Sequence, residues 1–319
     1  MSIRLEVAKA VCCADFISRH LILKIAEDCA SISQFVLQFS NKLSSVDLIE
    51  HVIYGNAMKQ IAISSRLDLS NEIVVSLIEH GNSEVINSLV SNSAAQITAH
   101  DFRQIYINFA NEASLRELLC KRDDISADLR ELIAFDVAKE LEIFVINANW
   151  LNKKQAANAA KKSYEIAVIQ ISDRISGAEM ADYIQKLSEE ERLTPSIILR
   201  SITTGYMKFF EYALAYLAGV PIQKLHSLLH ATNPLARQAL FSRSKLPADL
   251  FPILTIAIDV YGTMNQKFAN DSNQNKNDFS IKMIQNITES YHAQNHINQA
   301  YLQRVLDCYY IDISGKIAA

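Results

Sequence analysis

Glycine and proline are scarce in this 319-residue chain: 7 Gly and 5 Pro, about 4% together against roughly 12% in average usage. A fold built from β-hairpins needs glycine turns at close intervals, so this shortage excludes most all-β architectures and points to helices. Cysteine is also sparse, with five residues (Cys12, Cys13, Cys29, Cys120, Cys308) at irregular spacing. An odd, unpatterned set in a chain of this size reads as reduced thiols, not as a disulfide framework. No long hydrophobic run exists. The strongest, 250–258, is interrupted by Pro252 and is far shorter than the roughly 20 residues of a membrane span. The first residues place Arg4, Glu6, Lys9 and Asp15 where an export signal would carry an apolar core. A soluble, cytoplasmic protein is the expectation.

Charge of one sign is lacking as well. Residues 1–135 carry 12 Lys+Arg against 17 Asp+Glu, 136–174 carry 6 against 5, and the remainder 13 against 13. Nucleic-acid binding draws most of its affinity from concentrated cations, so this balance makes it the second choice among functions. Half of the residues are apolar and 21% are charged, which suits a folded chain.

What is present is a repeat. Ile17-Ser18, Leu43-Ser44, Leu69-Ser70, Ile97-Thr98 and Ile125-Ser126 recur at intervals of 26, 26, 28 and 28 residues. In the last four an acid follows two or three residues later (Asp47, Glu72, Asp101, Asp128). Hydroxyl plus acid at this offset is the pattern of a helix N-terminus, where the oxygen accepts from free N–H groups and the carboxylate favours the positive end of the dipole. A second start follows about 12 residues on, at Gly55-Asn56, Gly81-Asn82 and Ala110-Asn111. Each unit is therefore a helical hairpin. Its second helix shows one apolar stripe, as in Val85, Ile86, Leu89 and Val90, that a lone hairpin cannot bury.

The period returns later with proline in the first turn: Leu193-Thr194-Pro195, Val220-Pro221 and Leu246-Pro247, with Thr232-Asn233-Pro234 as an internal start. Eight starts at one period predict an all-α fold, an α-solenoid of short hairpins of the HEAT or armadillo kind. The expected organisation is two arrays, 1–135 and 175–265, joined by one long helix over 136–172 within a 136–174 connector. Val137, Leu141, Phe144, Ala148 and Leu151 form a stripe on that helix, and its middle, 152–163, lacks large apolar residues. A polar linker (266–278) and a helical cap (279–319) follow; the cap could bind a second copy of the chain.

The segment 210–221, FEYALAYLAGVP, together with Leu193-Thr194-Pro195-Ser196-Ile197-Ile198-Leu199-Arg200 and Ala239-Leu240-Phe241 before Leu246-Pro247, resembles a bacterial family, domain of unknown function 2336. The resemblance spans most of 15–260. It implies the helical-repeat fold and brings no catalytic residues with it.

Chemistry is thinly marked. His226/His230 and His292/His296 have the i, i+4 spacing that sets two imidazoles on one helix face, but neither carries the Glu of a metalloprotease motif, and ordinary histidines are the expectation. Vicinal Cys12-Cys13 point apart on a helix. No Gly-rich phosphate loop or nucleophile elbow occurs. The lysine pairs Lys153-Lys154 and Lys161-Lys162 read as a solvated helix face. No catalytic residue, metal or cofactor is expected. The reading is a non-enzymatic interaction scaffold whose groove takes a protein or peptide. Asn87, Arg116 and Arg237 on second helices, and Tyr206, Phe209 and Phe210 in an aromatic-rich segment, are the candidate partner contacts. A nucleic-acid-binding array, and a metal protein or enzyme centred on the histidine pairs, are the alternatives.

Overall fold

The structure, a computed structural model, describes residues 2–12, 14, 17–229, 234–268 and 276–295. Among these every regular element is helical. The chain divides into two compact units, Met1–Leu129 and Arg130–Ala319.

Unit 1 holds α1 (Ser2–Val11), α2 (Arg19–Ala26), α3 (Ala30–Phe39), α4 (Ser45–Tyr54), α5 (Ala57–Ser64), α6 (Asn71–His80), α7 (Ser83–Ser91), α8 (Ala99–Phe109) and α9 (Ala113–Lys121). Consecutive helices pair as α2/α3, α4/α5, α6/α7 and α8/α9. Alternate helices then stack into two rows, α4 on α6 on α8, and α1 on α3 on α5 on α7 on α9. That is solenoid packing: each hairpin covers the apolar stripe of its neighbour. Val85, Ile86, Leu89 and Val90 of α7 are all buried, as their spacing requires.

The hydroxyl marks start the helices. Ser18, Ser44 and Thr98 each accept a backbone N–H of the first turn, and Ser44 with Asp47 closes a full capping box. Ser70 stands at the N-cap of α6 but turns its hydroxyl toward Glu72 and Ser45. Asn56 and Asn82 cap α5 and α7. Asn111 does not cap α9: Glu112 occupies the N-cap, and its side chain makes no cap bond.

Unit 2 holds most of α10 (Ala127–Asn147), then α11 (Lys153–Ser172), α12 (Gly177–Glu189), α13 (Pro195–Thr203), α14 (Met207–Ala218), α15 (Ile222–Leu229), α16 (Pro234–Arg243), a 3-10 turn (Ala248–Leu250), α17 (Phe251–Phe268) and α18 (Lys276–Asn295). The two-row order recurs, with α11 on α13 and α12 on α14 on α16. Helices α17 and α18 pack on one another and both reach α13, whose residues 196–203 are all buried.

The single helix predicted over 136–172 is corrected: it is two helices separated by residues 148–152. Asn149 adopts the left-handed conformation (φ 57°). Trp150 N–H then bonds Val145 C=O at 3.0 Å, closing a C-terminal cap. Asn152 opens the next helix by a capping box with Gln155. Asparagine tolerates the left-handed region better than other non-glycine residues, so the two asparagines act as stop and start.

Candidate functional site

Buried arginines hold the hairpins of unit 1 in register. Arg66, buried after α5, donates to Leu37 C=O at 2.7 Å and Ser40 C=O at 3.0 Å, where the preceding hairpin ends, and grips both oxygens of Asp68 at 2.9 Å. Asn92, after α7, donates to Ser64 C=O at 2.9 Å and Arg66 C=O at 2.6 Å. Arg122, after α9, donates to Val90, Asn92 and Ala95 carbonyls at 3.1, 2.8 and 3.1 Å, holds Asp124 at 2.8 and 2.6 Å, and lies 5.1 Å from the centre of the Phe102 ring. Helix C-termini leave carbonyls without intrahelical partners. Each hairpin satisfies those of the one before it. In unit 2, Arg243 Nε reaches Ala218 C=O at 3.2 Å in the same way.

The sequence reading missed this ladder, although its signal was present. Arg66, Arg122 and Arg243 each stand four residues before a start mark (Ser70, Ser126, Pro247).

Two of the candidate groove residues bond to carbonyls of their own hairpins. Arg116 donates to Ala110 C=O at 3.0 Å at the end of α8, and Arg237 to Leu229 C=O at 2.6 Å at the end of α15, with Asp259 at 2.6 Å. Asn87 Nδ2 donates to Ser114 Oγ at 3.3 Å on the adjoining α9, while its Oδ1 is buried with no hydrogen-bond partner. Phe209 and Phe210 are 0% exposed. A partner meeting the folded chain reaches neither ring; α14 is enclosed by α12, α13, α15 and α16. Tyr206, half-buried at the N-cap of α14, donates its backbone N–H to Ser201 C=O at 2.8 Å.

Unit 2 encloses two carboxylates. Glu131 of α10 accepts Arg192 Nη1 on both oxygens at 2.9 and 2.7 Å and the Tyr164 hydroxyl on one. Arg192 also meets Glu190 at 3.1 Å and lies 4.0 Å from the Phe135 ring centre. Burial is the largest influence on Glu131 and pushes its carboxyl above the ordinary value, against the opposing pull of Tyr164 and Arg192. Burial together with the Glu131 carboxylate also raises Tyr164. Nearby, Glu165 of α11 accepts Ser196 Oγ at 2.8 Å and Arg200 Nε at 3.1 Å, both from α13, and Thr194 at 3.3 Å. These groups are saturated by one another. Their chemistry is that of a clamp between helices: paired, hydrogen-bonded charges that fix geometry.

Of the histidine pairs, His226 is exposed and lies 3.0 Å from Glu211. His230 and His296 are outside the described residues, as is the side chain of His292. Among the described residues no three His, Cys, Asp or Glu side chains gather as a metal site. Lys153 and Lys154 are exposed at the start of α11, and Lys161 lies 4.0 Å from Glu165. No described helix is long and apolar enough to cross a membrane.

Stacked capped hairpins with carbonyl-gripping arginines define an α-solenoid, helical-repeat protein. The chain belongs to the family described as an uncharacterised protein conserved in bacteria (DUF2336), which matches residues 32–296. No curated protein and no solved structure matches it.

Proposed function

We propose that this chain is a non-enzymatic helical-repeat scaffold that presents its stacked hairpins to a protein or peptide partner. The supporting observation is a set of large apolar side chains standing in water on unit 1. Ile53, Tyr54 and Met58 cluster around the turn from α4 to α5, and Leu67 lies in the next connection, with Tyr54 and Leu67 each 83% exposed. Exposed apolar clusters of this kind mark interaction surfaces on soluble proteins.

A nucleic-acid partner is the weaker reading. Several arginines, Arg66, Arg116, Arg122, Arg192, Arg200, Arg237 and Arg243, bond to carbonyls or carboxylates of the chain itself, which reduces the cations left to meet phosphates. A cytoplasmic setting suits Cys29 and Cys120, which are free thiols.

Site-specific photo-crosslinking in the native host tests the scaffold reading. A photoreactive residue at position 54, and separately at 67, should capture the same protein. No adduct at either position, with the chain folded, would remove the basis of the proposal.

A further inference from the structure

Beyond residue 138, no residue of α10 is fully buried. Val137, Leu141, Ile143, Phe144, Trp150 and Leu151 are all exposed, with Ile143 at 59%, Phe144 at 55% and Trp150 at 69%. The run 143–151, IFVINANWL, contains no charged residue. Trp150 meets Phe144 edge to face, ring centres 5.4 Å apart, so the two rings form one block of apolar surface. The exposed part of these six side chains amounts to roughly 600 Å² of apolar area, more than an isolated surface residue accounts for.

We infer that this end of α10 is a homodimer interface, covered by the same surface of a second copy. Three observations select that occupant. Ala134, Val137, Leu141 and Phe144 follow one another at steps of 3, 4 and 3, the spacing of a coiled-coil seam, and a seam of this kind is complementary to itself across a two-fold axis. Two copies of the patch bury about 1,200 Å² together, at the lower edge of specific interfaces. Glu140 flanks the seam and Glu142 follows on the same helix, while Lys139 lies over the Phe135 ring, 4.4 Å from its centre. An anionic bilayer would repel the two glutamates. The interface joins two copies of the chain through unit 2.

Trp150 is the only tryptophan in the chain, so its fluorescence reports on this patch without a label. The full-length protein should run in light scattering at twice its 35.8 kDa mass. On dilution across roughly 0.1 to 100 μM its emission should move to the red as the dimer dissociates. Leu141→Glu and Ile143→Lys, both at exposed positions, should leave the far-ultraviolet circular dichroism spectrum unchanged and weaken self-association at least about tenfold; Val46→Glu on unit 1 should leave it intact. A monomer at every concentration overturns the inference, as does a dimer indifferent to both substitutions. It is equally overturned if the monomer emits in the blue until residues 296–319 are deleted, since the chain's own C-terminal segment then covers the patch. A monomer whose emission shifts only on adding phosphatidylcholine/phosphatidylglycerol vesicles gives the patch to a membrane surface instead.

Discussion

Arg66 and Arg122 occupy the same place in two hairpins of unit 1, each anchored to an aspartate two residues ahead and each donating to carbonyls that end the hairpin behind it. A lysine could supply the charge at these points. Only the planar five-donor fork of arginine can bond an aspartate on one edge and several carbonyls on the other.

Replacing either arginine by alanine therefore orphans buried carbonyls and should cost about 2–4 kcal/mol in urea denaturation of the full chain. Arg122→Lys should recover less than half of that loss. A cost below about 0.5 kcal/mol for both alanine variants would show that the carbonyls find water or other donors.

Glu165 lies between Ser196 and Arg200 in the interior of unit 2. Its removal takes the Glu165 carboxylate from a buried guanidinium and from Ser196, so Glu165→Ala should cost about 3–5 kcal/mol. Glu165→Gln keeps the shape and should cost less. Equal losses from the two variants in chemical denaturation would mean that packing, not charge, dominates the position.

Glu131 gives a pH dependence with a definite sign. Burial raises its folded-state value above the ordinary 4.5, so the folded chain holds this proton more firmly than the unfolded chain. The stability it contributes is complete below 4.5 and is lost as pH rises through the folded value. Between about pH 4 and pH 7 the parent protein should lose more stability than Glu131→Gln, measured as the shift in denaturation midpoint. Parallel curves for the two proteins would exclude Glu131 as the titrating group.

Two left-handed residues respond oppositely to substitution. Glu191 (φ 58°) ends α12 and is exposed, so Glu191→Gly should stabilise by about 0.5–1 kcal/mol through relief of that conformation. Gly205 (φ 86°) lies under the Phe279 ring, and a Cβ there would approach ring carbons at 2.5 and 2.6 Å. Gly205→Ala should cost about 2 kcal/mol or more and increase hydrogen exchange in α18. Thermal melts that rank the two variants the other way would contradict both arguments.

Helix starts were legible in the sequence because their chemistry is local. Ser44, Asn56, Asn82 and Thr98 cap helices where the spacing placed them, and seven of the eight start marks fall at α-helix beginnings, the eighth, Pro247, opening the 3-10 turn before α17. The stop at Asn149 was not legible. The apolar stripe continues through Ala148 and Leu151, and nothing but the asparagine's conformational tolerance interrupts it. The destination of the Arg116 and Arg237 side chains was likewise hidden, because a polar residue on a second helix reads as solvent-facing until the carbonyl beside it is known. Phe209 and Phe210 read as possible contacts because an aromatic-rich helix shows no outside until its neighbours are known.

The enclosure of α13 bears on how the chain is made. A ribosome releasing unit 1 delivers each hairpin together with the surface on which it settles, so that half can assemble as it emerges. Helix α13 leaves the exit tunnel well ahead of α17 and α18, two of the helices that close over it. Until those helices are synthesised, Ile197, Ile198, Leu199 and Ile202 lack part of their cover, and a truncated nascent chain is a natural client for a holdase.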